Sequence, residues 1–155
     1  MYTAQQIADY LILKSQQESE VITNKRLQKL LYYMQAWHLV INDKPLFTDK
    51  IEAWIHGPAI SSIYETYKSY VAKPIDKKVD VKIVNDLGDS TVSFIDRIYT
   101  AYKKYDTNTL EFMTHAESPW QIARKGVEAN ESSSNEITLE SMKQYYGDRL
   151  AELNI

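Results

Sequence analysis

The sequence predicts a mainly α fold, a single compact domain of five or six helices with a small β element. Three observations carry this. A chain of 155 residues fits one domain, and at that size roughly 70% of the unfolded surface is buried, enough for a core. Apolar residues recur at steps of three and four through most of the chain. Only two short runs alternate as strands do.

The first helix starts at Thr3-Ala-Gln-Gln6, a capping-box pattern with Thr3 as N-cap, and carries Ile7, Ala8, Leu11 and Ile12. Polar Ser15 to Glu20 end it. The second starts at Thr23 and is the most regular, with Leu27, Leu30, Leu31, Met34 and Trp37 on one stripe. Lys25, Gln28, Lys29 and Gln35 are expected on its other faces. It ends near Ile41, before Asn42-Asp43-Lys44-Pro45.

Ile51-Glu-Ala-Trp-Ile55 alternates and predicts a short strand, broken by His56-Gly57-Pro58. Pro58 suits the first position of a third helix, with Ile60, Ile63, Tyr64 and Tyr67 facing the core. Val79, Val81 and Ile83 form a second alternating run, which could pair with the first. Asp89 or Ser90 could cap a helix carrying Phe94, Ile95, Ile98, Tyr99 and Tyr102. A short turn from Asn108 follows, with Glu111 in the capping-box position, and Ser118-Pro119 starts another short helix. Residues 126–136 read as a loop. Thr138 caps the last helix, through Met142 and Tyr145-Tyr146, and Gly147 stands where a helix would stop. The expected division is a domain over 1–146 and a short tail over 147–155.

Composition excludes several chemistries. With no cysteine there are no disulfides, thiolate zinc sites or iron–sulfur clusters. The opening residues lack the basic start of a secretory signal, and no apolar run is long enough to span a membrane, so a cytoplasmic location is expected. Residues 1–105 carry 14 Lys/Arg against 12 Asp/Glu, and residues 106–155 carry 4 against 9. That lacks the clustered basic face of a nucleic-acid binder, and an acidic flank suits docking onto a basic protein surface.

No Gly-rich phosphate loop, Gly-x-Ser-x-Gly elbow or His-Glu-x-x-His helix is present. His38, His56 and His115 could be gathered by folding into a catalytic zinc site, and a metal- or His-dependent hydrolase is the alternative function. Backbone-bonded histidines explain the same residues, so no metal or cofactor is expected. The twelve tyrosines suit half-buried cores and protein interfaces.

The run Ile22-Thr-Asn-Lys-Arg-Leu-Gln-Lys-Leu-Leu-Tyr-Tyr-Met-Gln-Ala-Trp-His38 resembles the SocA-like, phage-associated Panacea antitoxin domain family. Pro45-Leu-Phe47, Ile51-Glu-Ala-Trp54, His56-Gly57-Pro58, Ile63-Tyr64, Leu110-Glu111, Thr114-His115, Pro119-Trp120 and Ala123-Arg124 follow in order, so the resemblance covers about residues 3–146. It implies a helical domain of bacteria, prophages and mobile elements, often encoded beside a toxin that it neutralises. One member delivers its toxin to a Clp-type protease. It implies no catalytic activity and no cofactor. The expected function is therefore a protein-binding module that holds a cognate toxin inactive.

The motif residues Leu27, Gln28, Lys29, Leu30, Tyr32, Tyr33, Trp37, Trp54, His56, Gly57, Pro58, His115, Pro119 and Trp120 are expected to form a structural cluster. Within it, His56 and His115 should be locally hydrogen-bonded. Two surfaces compete as the partner-binding face. Tyr145, Tyr146 and Leu150 offer aromatic anchors in an acidic rim, and Tyr64, Tyr67 and Tyr70 lie three residues apart.

Overall fold

Helix α2 (Asn24–Asn42) is the axis on which the other elements pack in the computed structural model, which describes residues 1–153. The Thr23 hydroxyl accepts from Arg26 N at 3.2 Å, capping its start. Asp43 closes it at φ 58, a left-handed conformation that short polar side chains tolerate. Leu27, Leu30, Leu31, Met34 and Trp37 are buried, as their spacing predicts.

The polar positions of α2 differ from expectation. Gln28, Lys29 and Gln35 are buried, not solvated. Each takes the place of a neighbouring strand for the chain beyond the helix. Gln35 Oε1 accepts from Leu46 N at 2.8 Å, and its Nε2 donates to the Phe47 carbonyl at 3.0 Å. Gln28 Oε1 accepts from Ile60 N at 2.7 Å, and Lys29 Nζ donates to the Pro58 carbonyl at 3.3 Å. Buried polar groups persist where they find partners, and here the partners are backbone groups of residues 46–60.

Helix α1 (Ala4–Gln17) has the expected capping box between Thr3 and Gln6 and packs on α2. Strands β1 (Ile51–Trp54), β2 (Gly57–Ala59) and β3 (Glu136–Ile137) form an antiparallel sheet in the order β2-β1-β3. Trp54 pairs with Gly57 across the hairpin, and Ile51 pairs with Ile137.

Two expectations fail here. Pro58 lies in β2, not at a helix start; an edge strand accommodates proline, which has no N–H to pair. Helix α3 (Ser61–Tyr67) begins only after Ile60, in extended backbone. Val79, Val81 and Ile83 form no strand. Val81 is 67% exposed, whereas Ile75, Val79, Ile83 and Leu87, at steps of four, are buried. Ile75 and Val79 lie in irregular chain; the helical step applies from Ile83 to Leu87, the two ends of α4 (Ile83–Leu87).

Helix α5 (Asp89–Tyr102) starts after Gly88 without a side-chain cap, so neither Asp89 nor Ser90 caps it. Helix α6 (Thr107–Ala116) is capped by Asp106, whose Oδ1 accepts from Thr109 N at 2.7 Å. Glu111 is thereby released from the capping role expected of it. Helix α7 (Ser118–Ala123) has proline in its first turn, and α8 (Leu139–Gly147), capped by Thr138, lies along α2. The helices number eight among the described residues, more than expected, because several are only five to seven residues long. Gly147 belongs to α8 itself and not to the tail, and Leu153 packs against the core. The last two positions of the expected tail, Asn154 and Ile155, lie outside the described residues. Among the described residues no helix is long and apolar enough to cross a membrane.

Candidate functional site

A groove of about 1230 Å³ runs between the start of α2, the β1–β2 hairpin, the end of α3 with the turn beyond it, and the loop 132–134. Pockets for small ligands run to about 1,000 Å³, so this one has room for a peptide segment. Trp54 and Tyr64 form one aromatic wall, their rings edge-to-face with centroids 5.1 Å apart. Val71 projects at the rim, 79% exposed and at φ 56, a conformation that β-branched residues rarely adopt. Arg124 holds the opposite wall. It donates to the Ala53 carbonyl at 3.0 Å and to the Glu131 carbonyl at 2.6 Å, fixing the chain that leads into Ser132.

Lys29 borders the groove from α2, only 2% exposed. Burial is the main cause that brings its ammonium down to about 7; nearby Glu111 raises it and Lys25 lowers it further. Gly57 faces it at φ 108, and a Cβ there would lie 2.9 Å from Lys29 Cε and from Thr114 Oγ1. Only glycine gives both that backbone conformation and that space. Glu111 is ion-paired with Lys25. Burial works against its charge, but the Lys25 hydrogen bond and charge prevail and hold it below the ordinary glutamate value.

The motif residues divide between two sides of α2. Gln28, Lys29, Trp54, His56 and Gly57 line the groove, with Pro58 beneath it. Trp120 Nε1 donates to the Trp54 carbonyl at 2.8 Å, and its ring stacks on His115 at 4.2 Å. Pro119 is buried at the start of α7. Tyr32, Tyr33 and Trp37 lie on the far side, around α8, while Leu27 and Leu30 are core. The histidines are less well satisfied than expected. His115 Nε2 is buried without a hydrogen-bond partner. His56 is exposed, its Nδ1 3.6 Å from Glu111 Oε2, beyond hydrogen-bond reach. Among the described residues no three His, Asp or Glu side chains are placed to hold a metal ion.

Both expected tyrosine surfaces are corrected. Tyr146 is 1% exposed and belongs to the core; Tyr145, half-buried, lies under Arg149 with its ring centroid 3.7 Å from the guanidinium. Consecutive helical residues point about 100° apart, so the two cannot share a face. Leu150 is exposed, without them. Tyr64 is 40% exposed at the groove, but Tyr67 is buried, its hydroxyl accepting from Gln5 Nε2 at 2.8 Å. Tyr70 bonds Asp76 at 3.0 Å. The step of three from Tyr64 to Tyr67 rotates a side chain about 60° around α3, from rim to core, and Tyr70 lies in the 3-10 turn beyond it. The role of Val71, Lys68 and Ser132–Ser134 as walls has no signal in the sequence, since they come from separate irregular segments.

The model of the family described as "Antitoxin SocA-like, Panacea domain" matches residues 27–121. The chain belongs to this family. The matched stretch begins at the α2 motif, includes the whole hairpin with Gly57, and ends beside Trp120; α8 and the loop 132–134 lie beyond it. A curated relative, "Antitoxin SocA" of Caulobacter vibrioides (strain NA1000 / CB15N), is 27% identical over 137 residues, covering 82% of this chain and 73% of its own length. No solved structure gives a significant match. The Panacea motifs thus fall largely on the groove and the elements that hold it.

Proposed function

We propose that the protein is an antitoxin that holds a cognate protein toxin inactive by direct binding, with the groove beside Lys29 as its docking face. Membership of the SocA-like antitoxin family carries the reading, and the groove is where its motif residues meet solvent. Trp54 and Tyr64 offer the aromatic anchors that dominate protein interfaces, and the exposed Val71 extends that apolar surface. A stable complex buries roughly 800 Å² on each partner, so the toxin would cover the groove and its rim together.

The test is co-expression with the product of the adjacent gene. The expected result is a complex that survives size-exclusion chromatography and growth restored to a host poisoned by that product. Absence of both removes the antitoxin reading. Repeating the rescue in a host without Clp-type proteases separates two routes. Rescue that persists there indicates direct neutralisation; rescue that is lost indicates delivery to a protease.

A further inference from the structure

We infer that the groove takes a carboxylate side chain of the partner, an Asp or Glu flanked by apolar residues, seated on the Lys29 ammonium. The inference rests on the antitoxin reading for the partner's role but not for the site's chemistry. A lysine ammonium has three N–H donors. Among the described residues Lys29 Nζ has one hydrogen-bond acceptor, the Pro58 carbonyl at 3.3 Å. A buried ammonium with unused donors is a binding position in want of an acceptor.

The neighbouring charges are already engaged. Glu111 holds Lys25, Lys68 holds Glu65 at 2.6 Å, and Glu52 Oε1 accepts from Trp54 Nε1 at 2.8 Å. Glu111 acts on the Lys29 ammonium from a distance but is ion-paired with Lys25, so that ammonium has no carboxylate in contact and calls for one, and not for a phosphate dianion, which needs several donors. The position is built: the missing Cβ of Gly57 makes room for the lysine stem, at a backbone angle other residues avoid. Walls of Trp54, Tyr64, Ile55 and Val71 favour apolar residues on either side of the anion.

The probe is an array of short acetylated, amidated peptides with a central Glu between varied apolar residues, each matched by Gln and phosphoserine versions. The intact protein should bind the best Glu peptides at least about ten-fold more tightly than their Gln partners, the scale of a desolvated charged pair. Calorimetry in two buffers at pH 8 should show a proton taken up on binding, because the carboxylate favours the protonated amine. Lys29→Met should erase both the preference and the proton uptake while melting no lower than wild type. Equal binding of Glu and Gln peptides, no peptide binding, or a preference that survives Lys29→Met overturns the site, and tighter binding of phosphoserine overturns its assignment to a carboxylate. Growth rescue without a Glu preference would remove this site alone, whereas a Glu preference without rescue would remove the antitoxin reading alone.

Discussion

Two charged side chains, Lys29 of α2 and Glu117 at the start of α7, meet opposite environments on two sides of α2. Lys29 faces the groove with the Pro58 carbonyl as its hydrogen-bond acceptor. Glu117, at the start of α7, is enclosed by tyrosines. Its Oε1 accepts from the Tyr33 hydroxyl at 2.5 Å and lies 3.1 Å from that of Tyr146, which in turn lies 2.9 Å from the Tyr32 hydroxyl. Tyr33 stacks on Tyr102 at 4.2 Å, and Tyr102 accepts from Trp37 Nε1 at 2.8 Å. Burial pushes Glu117 above the ordinary glutamate value even against those hydroxyl bonds. A network whose members satisfy one another specifies packing; a charge left short of partners beside open space is available to a ligand. The tyrosine side of α2 thus serves packing, and the lysine side is the proposed docking face.

The largest expected effect tests the tyrosine side. Tyr146→Ala should cost about 3–5 kcal/mol, as deletion of a buried aromatic does, and should leave Glu117 and Tyr32 short of a partner. Tyr145→Ala, half-buried beside Arg149, should cost about 1 kcal/mol or less. Urea denaturation reads both. Similar values for the two would erase the distinction between core and surface at this end of α8.

Next in size is Lys29→Met, which should stabilise the protein by about 1–4 kcal/mol at pH 6, as removal of a buried charge can. Lys29 has a folded value of about 7 against 10.5 for a free lysine. Between those limits the unfolded chain binds more protons, so wild-type stability rises with pH and the advantage of Met shrinks. Melting curves of both proteins at pH 6 and pH 9 should converge. A gap that widens with pH would contradict the burial of an underpartnered amine.

Glu117→Gln carries the smallest of these effects, about 1 kcal/mol, with the opposite sign in pH. Its folded value is raised from 4.5, so the folded state holds its proton longer. The cost of charging Glu117 appears only as pH rises through that window. Gln, which keeps an acceptor for Tyr33, should therefore gain on wild type from acid toward neutral pH. A gain that falls over that range would mean that the tyrosine hydroxyls more than offset burial.

The sequence shows the apolar half of this fold better than the polar half. The α2 stripe, the Thr3, Thr23 and Thr138 caps and the Ser118-Pro119 start are local signals, and the structure has each of them. The burial of Gln28, Lys29 and Gln35 is not local. It depends on strands and loops supplied by residues 46–60, and on periodicity alone those side chains read as a solvated face. The same holds for Tyr146, whose partner lies 114 residues away, whereas Tyr67 is buried as its spacing in the third helix predicts and it is Tyr64, expected in the core, that is 40% exposed. The period-two run at 79–83 misleads because Val81 is an exposed valine in a turn, between buried Val79 in irregular chain and buried Ile83 at the start of α4. Of the groove, the motif resemblance marked the start of α2 from Thr23 to Lys29, with Glu52, Trp54, His56, Gly57 and Tyr64; the walls from Lys68, Val71 and Ser132–Ser134 are brought to it only by folding.

The proposed docking face is the groove and not another apolar surface. Tyr64→Ala combined with Val71→Asp alters two exposed groove residues, and Phe112→Ser alters a side chain 74% exposed on α6 away from it. Both variants should melt close to wild type, since surface changes usually fall within about 0.5 kcal/mol. Measured against the product of the adjacent gene, the groove variant should bind at least about ten-fold more weakly, as loss of an aromatic anchor does, while Phe112→Ser binds as wild type. Undiminished affinity of the groove variant, with affinity lost instead in Phe112→Ser, would contradict the account.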